Sequence, residues 1–287
     1  MYEKLHDLQT KASKFDLHLI IVGGAVRDKI LLNNDSSDID IEVHPLGVGV
    51  DKDTFLKNYH EFAQEMEGKS LPYEIYKFKF IEYDIEISPP RIETFIDGDD
   101  GHKNFEIEIT TSKNLGVIWK RRDFTINSIG YDLLNLKVVD PLGGVLDLEN
   151  KTLKPVGENF SKDYVRFFRG IRFSILFGLD ATPVLGLKYD FSFTAVSLFH
   201  FVKEALKSKN FFKFITLCDE NISALIKDEK VLELLECLKK ITNEKTIINN
   251  TESLEVFISK LPQESRDQII NLITPTGIIS KKRIKKL

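Results

Sequence analysis

Asp38-Ile39-Asp40 sets two carboxylates one residue apart, a short way downstream of the Gly23-Gly24 pair. The run Ile20-Ile21-Val22 reads as a strand that ends in a glycine turn, the segment after it as a helix, and Asp38 to Val43 as a second strand. Successive strand side chains alternate faces, so Asp38 and Asp40 share one surface while Ile39 and Ile41 enter a core. Two unit charges about 4 Å apart at an effective dielectric near 20 repel by roughly 4 kcal/mol. A cation relieves that repulsion, and carboxylate oxygens suit Mg2+, which keeps its other positions for water and phosphate oxygens. A glycine pair at a strand-to-helix turn lets a phosphate reach the helix N-terminus, where free N–H groups favour an anion. The two features together describe a nucleotidyl-transfer site. Taken alone, the same residues also read as a surface acid pair and an ordinary turn, and the rest of the chain has to decide.

At 287 residues the chain has room for about two domains with ample core. A mean hydropathy of -0.16 and a net charge of -4 fit a soluble protein, and the overall acidity excludes an indiscriminate nucleic-acid binder. No apolar run approaches the roughly 20 residues of a membrane span, and the charged start Met1-Tyr2-Glu3-Lys4 has no signal-peptide character. A cytoplasmic protein without a membrane partner is expected. Cys218 and Cys237 stand in a helical region with no metal-ligand spacing, as small buried apolar residues. Basic clusters occur locally at Lys120-Arg121-Arg122, at Arg166, Arg169 and Arg172, and in the tail Lys281 to Lys286. The tail reads as a solvated end, with RNA contact as the alternative.

The elements that position the acids follow from periodicity. Leu5, Leu8, Ala12 and Phe15 recur at helical spacing, and Asp53 to Glu67 reads as a helix. Tyr73 to Phe80 and Ile81 to Ile87 alternate as a half-buried antiparallel hairpin, whose Glu82, Asp84 and Glu86 share a face. One of those three could supply a third carboxylate, or all three could simply face solvent. Pro89-Pro90-Arg91 ends the strand, and a long polar loop through Gly98, Asp99, Asp100 and Gly101 leads to Phe105. Trp119 to Ser128 places adjacent arginines and an aspartate before an apolar-polar alternation, and Val138 to Leu148 reads as a strand, a Pro-Gly-Gly turn and a short element. From about Asn159 the pattern is helical: Arg166, Arg169 and Arg172 line one face, and helices are expected over 194–217, 221–242 and 252–272. Arginines at that spacing form a row of planar donors suited to phosphates or base edges, or a solvated basic face.

In this order, Gly23-Gly24-Ala25-Val26-Arg27-Asp28, Asp38-Ile39-Asp40, Arg121-Arg122-Asp123-Phe124-Thr125-Ile126-Asn127, and Asp140-Pro141-Leu142-Gly143-Gly144 with Asp147-Leu148 resemble the signatures of the class II tRNA nucleotidyltransferase and bacterial poly(A) polymerase family. Pro90-Arg91-Ile92-Glu93, with Gly101-His102 and Phe105, is similar to a loop of one branch of it, and the likeness spans residues 18–178. The resemblance implies an α+β fold: a DNA polymerase β-like head with a small mixed sheet and helices (1–150), an all-α neck (151–210) and a short helical body with a basic tail (211–287). It implies two Mg2+ ions on Asp38 and Asp40, with Glu86 as the third carboxylate. Gly23, Gly24, Arg27, Arg122 and Arg169 would meet the triphosphate. Asp123 would accept from the ribose hydroxyls with Asn127 in the same loop, and Arg91, Lys120 and Arg172 would face RNA.

The family's base-reading motif, Glu-Asp-x-x-Arg, stands here as Lys162-Asp163-Tyr164-Val165-Arg166. Asp163 and Arg166 are retained one helical turn apart and could offer acceptor and donor groups to a base edge. Lys162 replaces the Glu and Tyr164 the usual Pro, which leaves the choice between CTP and ATP open. The expected reaction is addition of C and A, or of A alone, to a tRNA 3′ end. Oligo(A) or poly(A) addition to another RNA, or a non-catalytic nucleotide- or RNA-binding role, are the alternatives.

Overall fold

The computed structural model describes residues 1–96, 105–189, 195–222, 229–241, 248, 250–261 and 263–279. The loop expected around Gly98 to His102 and the basic tail lie outside the described residues. Contacts divide the chain into two units, the first holding 1–95, 105–150 and 154–157, the second 96–104, 151–153 and 158–287.

The first unit opens with helix α1 (Tyr2–Ser13), strand β1 (Leu17–Val22), helix α2 (Gly24–Leu32), strand β2 (Asp38–Pro45) and helix α3 (Lys52–Glu65). Strands β3 (Lys69–Leu71), β4 (Ile75–Phe80), β5 (Tyr83–Ser88), β6 (Arg91–Phe95) and β7 (Phe105–Ile109) follow, then helix α4 (Leu115–Ile118), strands β8 (Gly130–Asp132) and β9 (Lys137–Val139), and helix α5 (Gly144–Glu149). Seven strands form one sheet in the order β3-β4-β5-β2-β1-β8-β9, in which only β2 and β5 run parallel. This is the small mixed sheet with helices that was expected. Ile39, Ile41, Ile85 and Ile87, on alternate positions of the two central strands, are buried, as are Leu5 and Leu8 of α1 and Phe55, Tyr59 and Phe62 of α3. One expectation needs correcting: Arg91 to Phe95 is a strand, not the start of a loop, and pairs antiparallel with β7 as a separate hairpin.

The second unit is helical: α6 (Tyr164–Phe177), α7 (Thr182–Leu185), α8 (Ala195–Lys207), α9 (Phe211–Ile222), α10 (Glu229–Ile241), α11 (Thr251–Ser259) and α12 (Gln263–Ile273). Its core is aromatic, with Phe168, Phe201 and Phe214 in mutual contact at centroid distances of 5.4 to 6.3 Å. The helix expected over 194–217 is two helices. Lys209 adopts a left-handed φ of +60, and the Asn210 side chain accepts from the Lys213 N–H at 3.1 Å, starting α9 afresh.

The Asp140-to-Gly144 motif has a structural task in the first unit. Asp140 accepts from the backbone N–H groups of Gly144 and Val145 at 2.8 and 2.9 Å, which fixes the start of α5 against residues 124–129. A Cβ on Gly144 would lie 2.1 Å from the Thr125 carbonyl oxygen. Gly144→Ala is therefore expected to destabilise the protein by about 3 kcal/mol in denaturant unfolding, whereas Leu146→Ala, at a position 60% exposed, changes it by less than about 0.5 kcal/mol.

Candidate active site

The carboxylate row is built by register. β2 lies between β1 and β5, and its parallel pairing with β5 sets Asp38 beside Asp84 and Asp40 beside Glu86. Asp38 and Asp40 are exposed on the face opposite the buried Ile39 and Ile41. Glu86, the expected third acid, stands next to Asp40 and also faces Lys77 of β4, whose Nζ is 3.1 Å from Glu86 Oε2. Asp84 is held by Lys79 at 2.9 Å, and Glu82, in the turn before β5, pairs with Lys4. Protein packed around the Asp40 carboxyl, then Glu86 and Asp38, raise its pKa, with Arg122 and Lys77 opposing them. Among the described residues, no three acids, histidines or cysteines converge as a ready metal cage. The donor set is nevertheless all oxygen and electrostatically crowded, which fits a hard divalent cation that takes only one or two carboxylates from the protein.

The glycine turn lies against this row. Gly23 has a φ of +78 and caps α2, and a Cβ placed on it would fall 3.5 Å from Arg122 Nη1 and 3.8 Å from Asp40 Oδ2. The positive φ favours glycine here, and the turn brings a cation and a carboxylate to the N-terminus of α2. A Cβ on Gly24 would sit 3.5 Å from Arg27 Nη2. Arg27 donates to Asp28 at 2.8 Å and to the Asn127 side-chain oxygen at 2.5 Å, and Asn127 donates to Asp123 at 2.9 Å. Hydrogen bonds thus join Arg27, Asn127 and Asp123 across a hundred residues of sequence. Arg122 donates to the Asn127 carbonyl at 3.2 Å and lies over the Trp119 ring at 5.6 Å. Burial, then Arg121, push its pKa down to about 10, so it stays charged at neutral pH.

Residues 119–127, with their adjacent arginines and aspartate, form no regular strand or helix. They form two 3-10 turns, Trp119–Arg121 and Thr125–Asn127, with Arg122 and Phe124 extended between them. Thr125 Oγ1 donates to Asp147 at 2.6 Å, which explains the Asp147 of the signature as a support for this loop. Glu42 was not among the expected site residues, and Arg121 was there only as part of a basic cluster and a signature, yet their carboxylate and guanidinium meet at 2.9 Å. The signal was present in the two-residue interval that continues from Asp38 through Asp40 to Glu42. Lys120 is exposed, and Arg91 pairs with Glu93 at 2.9 Å.

In the second unit, Asp163 caps α6 by accepting from the Val165 N–H at 2.8 Å, and Arg166 Nε lies 3.5 Å from Asp163 Oδ2. Both are largely buried, Lys162 precedes them in a 3-10 turn, and Tyr164 packs against Phe168 and His200. Arg169 lies 5.6 Å from the Phe173 ring centroid. Arg172, expected to face RNA, has its Nε 2.7 Å from the buried carboxylate of Glu204 and its guanidinium on Phe173 at 4.3 Å.

The raised pKa of Asp40 has a signed consequence. In the unfolded chain the carboxyl ionises near 3.9, so above its folded pKa the charged group costs stability, and below about 3.9 the cost vanishes. In metal-free protein, Asp40→Asn is expected to raise Tm at pH 7 by about 1–3 °C, a modest figure because the group is solvent-accessible, and to lose that advantage below about pH 4. Thermal scans at both pH values check this, and a lowered Tm at pH 7 contradicts it.

Residues 19–154 match the family model of the poly A polymerase head domain. The multifunctional CCA protein of Nitrosospira multiformis is 31% identical over 163 residues, covering 57% of this chain and 36% of that protein. The CCA-adding enzyme of Streptococcus suis is 30% identical over 188 residues, covering 60% of this chain and 40% of its own length. The chain thus spans about two fifths of the curated relatives it matches. In fold it is similar to a tRNA-processing enzyme in an apo form, with a TM-score of 0.62 at 22% identity, covering 97% of this chain and 79% of that one. It is also similar to a tRNA nucleotidyltransferase complexed with a primer tRNA and an incoming ATP analog, with a TM-score of 0.56 at 22% identity, covering 99% of this chain and 87% of that one. The glycine turn and the carboxylate row both lie within the stretch, residues 19–154, that is similar to the poly A polymerase head domain.

Proposed function

We propose that this protein transfers CMP or AMP from CTP or ATP to the 3′-hydroxyl of tRNA without a template, releasing pyrophosphate. The observation that carries the reading is the convergence of Arg122 and Asp40 on the Gly23 turn, 3.5 and 3.8 Å from where a Cβ there would lie. A triphosphate needs cations and a close backbone approach, and the reacting hydroxyl needs a carboxylate-held metal beside it; both needs meet at that point. Two Mg2+ ions, held by Asp38 and Asp40 with Glu86, would when bound lower the pKa of the RNA hydroxyl and neutralise the triphosphate.

The remaining work falls to this chain's own side chains. Gly23 and Gly24 admit phosphate oxygens to the N-terminus of α2, and Arg122 and Arg27 balance their charge. Asp123, oriented by Asn127, accepts from the ribose hydroxyls and so favours ribonucleotides. Asp163 and Arg166 present an acceptor and a donor to the base edge. Lys120 and Arg91 are the candidate RNA contacts in the head. A second reading, oligo(A) or poly(A) addition to other RNAs, is favoured by one observation: the family model that residues 19–154 match is that of a poly A polymerase head domain.

The test incubates the protein and Mg2+ with tRNAs ending before CCA, after C and after CC, each with labelled CTP or ATP, and with a generic RNA. Incorporation on the tRNAs supports the first reading and preference for the generic RNA the second; no incorporation anywhere overturns both. Asp40→Ala is expected to lower transfer by about a thousandfold while sparing the fold, since a bound metal contributes several kcal/mol to the transition state. Arg166→Ala is expected to reduce CTP/ATP discrimination by about tenfold with little change in triphosphate affinity, as for loss of one charge-assisted hydrogen bond.

A further inference from the structure

The polar face of β2 continues past Asp38 and Asp40 to Glu42 and His44 at the same two-residue interval. Exposure collapses along the row, from the solvent-facing aspartates to 0% at Glu42 and 2% at His44. A carboxylate removed from water is costly unless it is paired and hydrogen-bonded. Glu42 meets both conditions. Its Oε1 accepts from the Trp119 indole N–H at 2.8 Å and lies 2.9 Å from His44 Nε2, and its Oε2 accepts from Arg121 Nη2 at 2.9 Å. Burial disfavours its charge, yet His44 and Arg121 outweigh burial and hold the carboxyl well below the usual range.

Trp119 and Arg121 are the first and last residues of the 3-10 turn that immediately precedes Arg122. Glu42 therefore grips both ends of that turn. Arg122 leaves the turn with its N–H bonded to the Trp119 carbonyl at 3.0 Å and its guanidinium over the Trp119 ring, and a Cβ on Gly23 would meet its Nη1. Arg121 extends the chain of charges outward, with Nη1 3.9 Å from Glu93, the partner of Arg91 on the β6–β7 hairpin. A well-packed apolar cluster stabilises a fold as well as a buried ion pair does, so stability alone is a weak account of this arrangement.

We propose that Glu42 is a positioning residue: by holding Trp119 and Arg121, it fixes the turn that aims Arg122 at the triphosphate site beside Asp40. The proposal rests on the reading of Arg122 as a triphosphate partner. It does not touch the reacting atoms; it acts through Arg122.

The test measures equilibrium binding of CTP and ATP with Mg2+ to the full chain by calorimetry, alongside Mn2+ binding to the carboxylates by electron paramagnetic resonance. Glu42→Gln and Arg121→Met are each expected to weaken triphosphate binding about tenfold and to leave Mn2+ affinity unchanged. Because both act through one turn, the double variant is expected to bind no more weakly than the weaker single variant. Leu5→Ala, a core truncation in α1, supplies a comparable stability loss and is expected to leave triphosphate affinity unchanged. The inference is overturned if Glu42→Gln loses thermal stability with parental triphosphate affinity, or if the two single effects add. Should Glu42→Gln not fold, Arg121→Met with parental affinity overturns it equally. Arg122→Met separates this inference from its basis: parental binding there removes Arg122 from the triphosphate site, whereas weakened binding there beside normal binding in both Glu42→Gln and Arg121→Met rejects the positioning role alone.

Discussion

The parallel pairing of β2 with β5 is the constraint on which the candidate site depends. It is the only parallel contact in the seven-stranded sheet, and it sets Asp40 beside Glu86 and Asp38 beside Asp84. Strand side chains have a period of two, so a slip of one residue would turn the acids into the core and Ile39 and Ile41 into water. The buried isoleucines of both strands therefore fix the chemistry as firmly as they fix the fold. Protein packed around Asp40, and after it the neighbouring Glu86 and Asp38, raise the pKa of its carboxyl, and a cation is the natural counterweight.

Around that pairing, much of the signature sequence supports rather than reacts. Asp140, Gly144 and Asp147 shape and brace the loop that carries Arg122, Asp123 and Asn127. Asn127 ties that loop to Arg27 on α2, and Glu42 ties its leading turn to β2. Three separate attachments to strands and helices hold a segment that has only two short 3-10 turns of its own. An irregular segment so restrained can present a guanidinium to a fixed point, which electrostatic binding of a triphosphate requires.

The aspartate pair, the glycine turn and the β4–β5 hairpin were legible because each is a local pattern: alternation for the strands, a positive-φ residue type for the turn. The strand β6 was hidden behind Pro89-Pro90, whose turn character outweighed the alternation in Arg91 to Phe95, and its partner β7 lies across a segment that sequence alone reads as loop. Glu42 looked like any polar position on a half-buried strand, because its partners Trp119 and Arg121 come from residues almost eighty positions away. Arg172 matched the spacing of Arg166 and Arg169, and its pairing with Glu204 of α8 was not legible, because no helical periodicity within α6 reveals a partner on another helix. Long-range pairing did not appear in the sequence, and among the local elements the strand β6 and the break between α8 and α9 at Lys209 were missed.

The most direct measurement is anomalous diffraction from crystals grown with Mn2+ and a non-hydrolysable CTP or ATP analogue. Manganese peaks on the Asp38 and Asp40 carboxylates, with the triphosphate lying against Gly23 and Arg122, are the predicted result. A triphosphate bound elsewhere, or no manganese at the aspartate pair, would contradict the account.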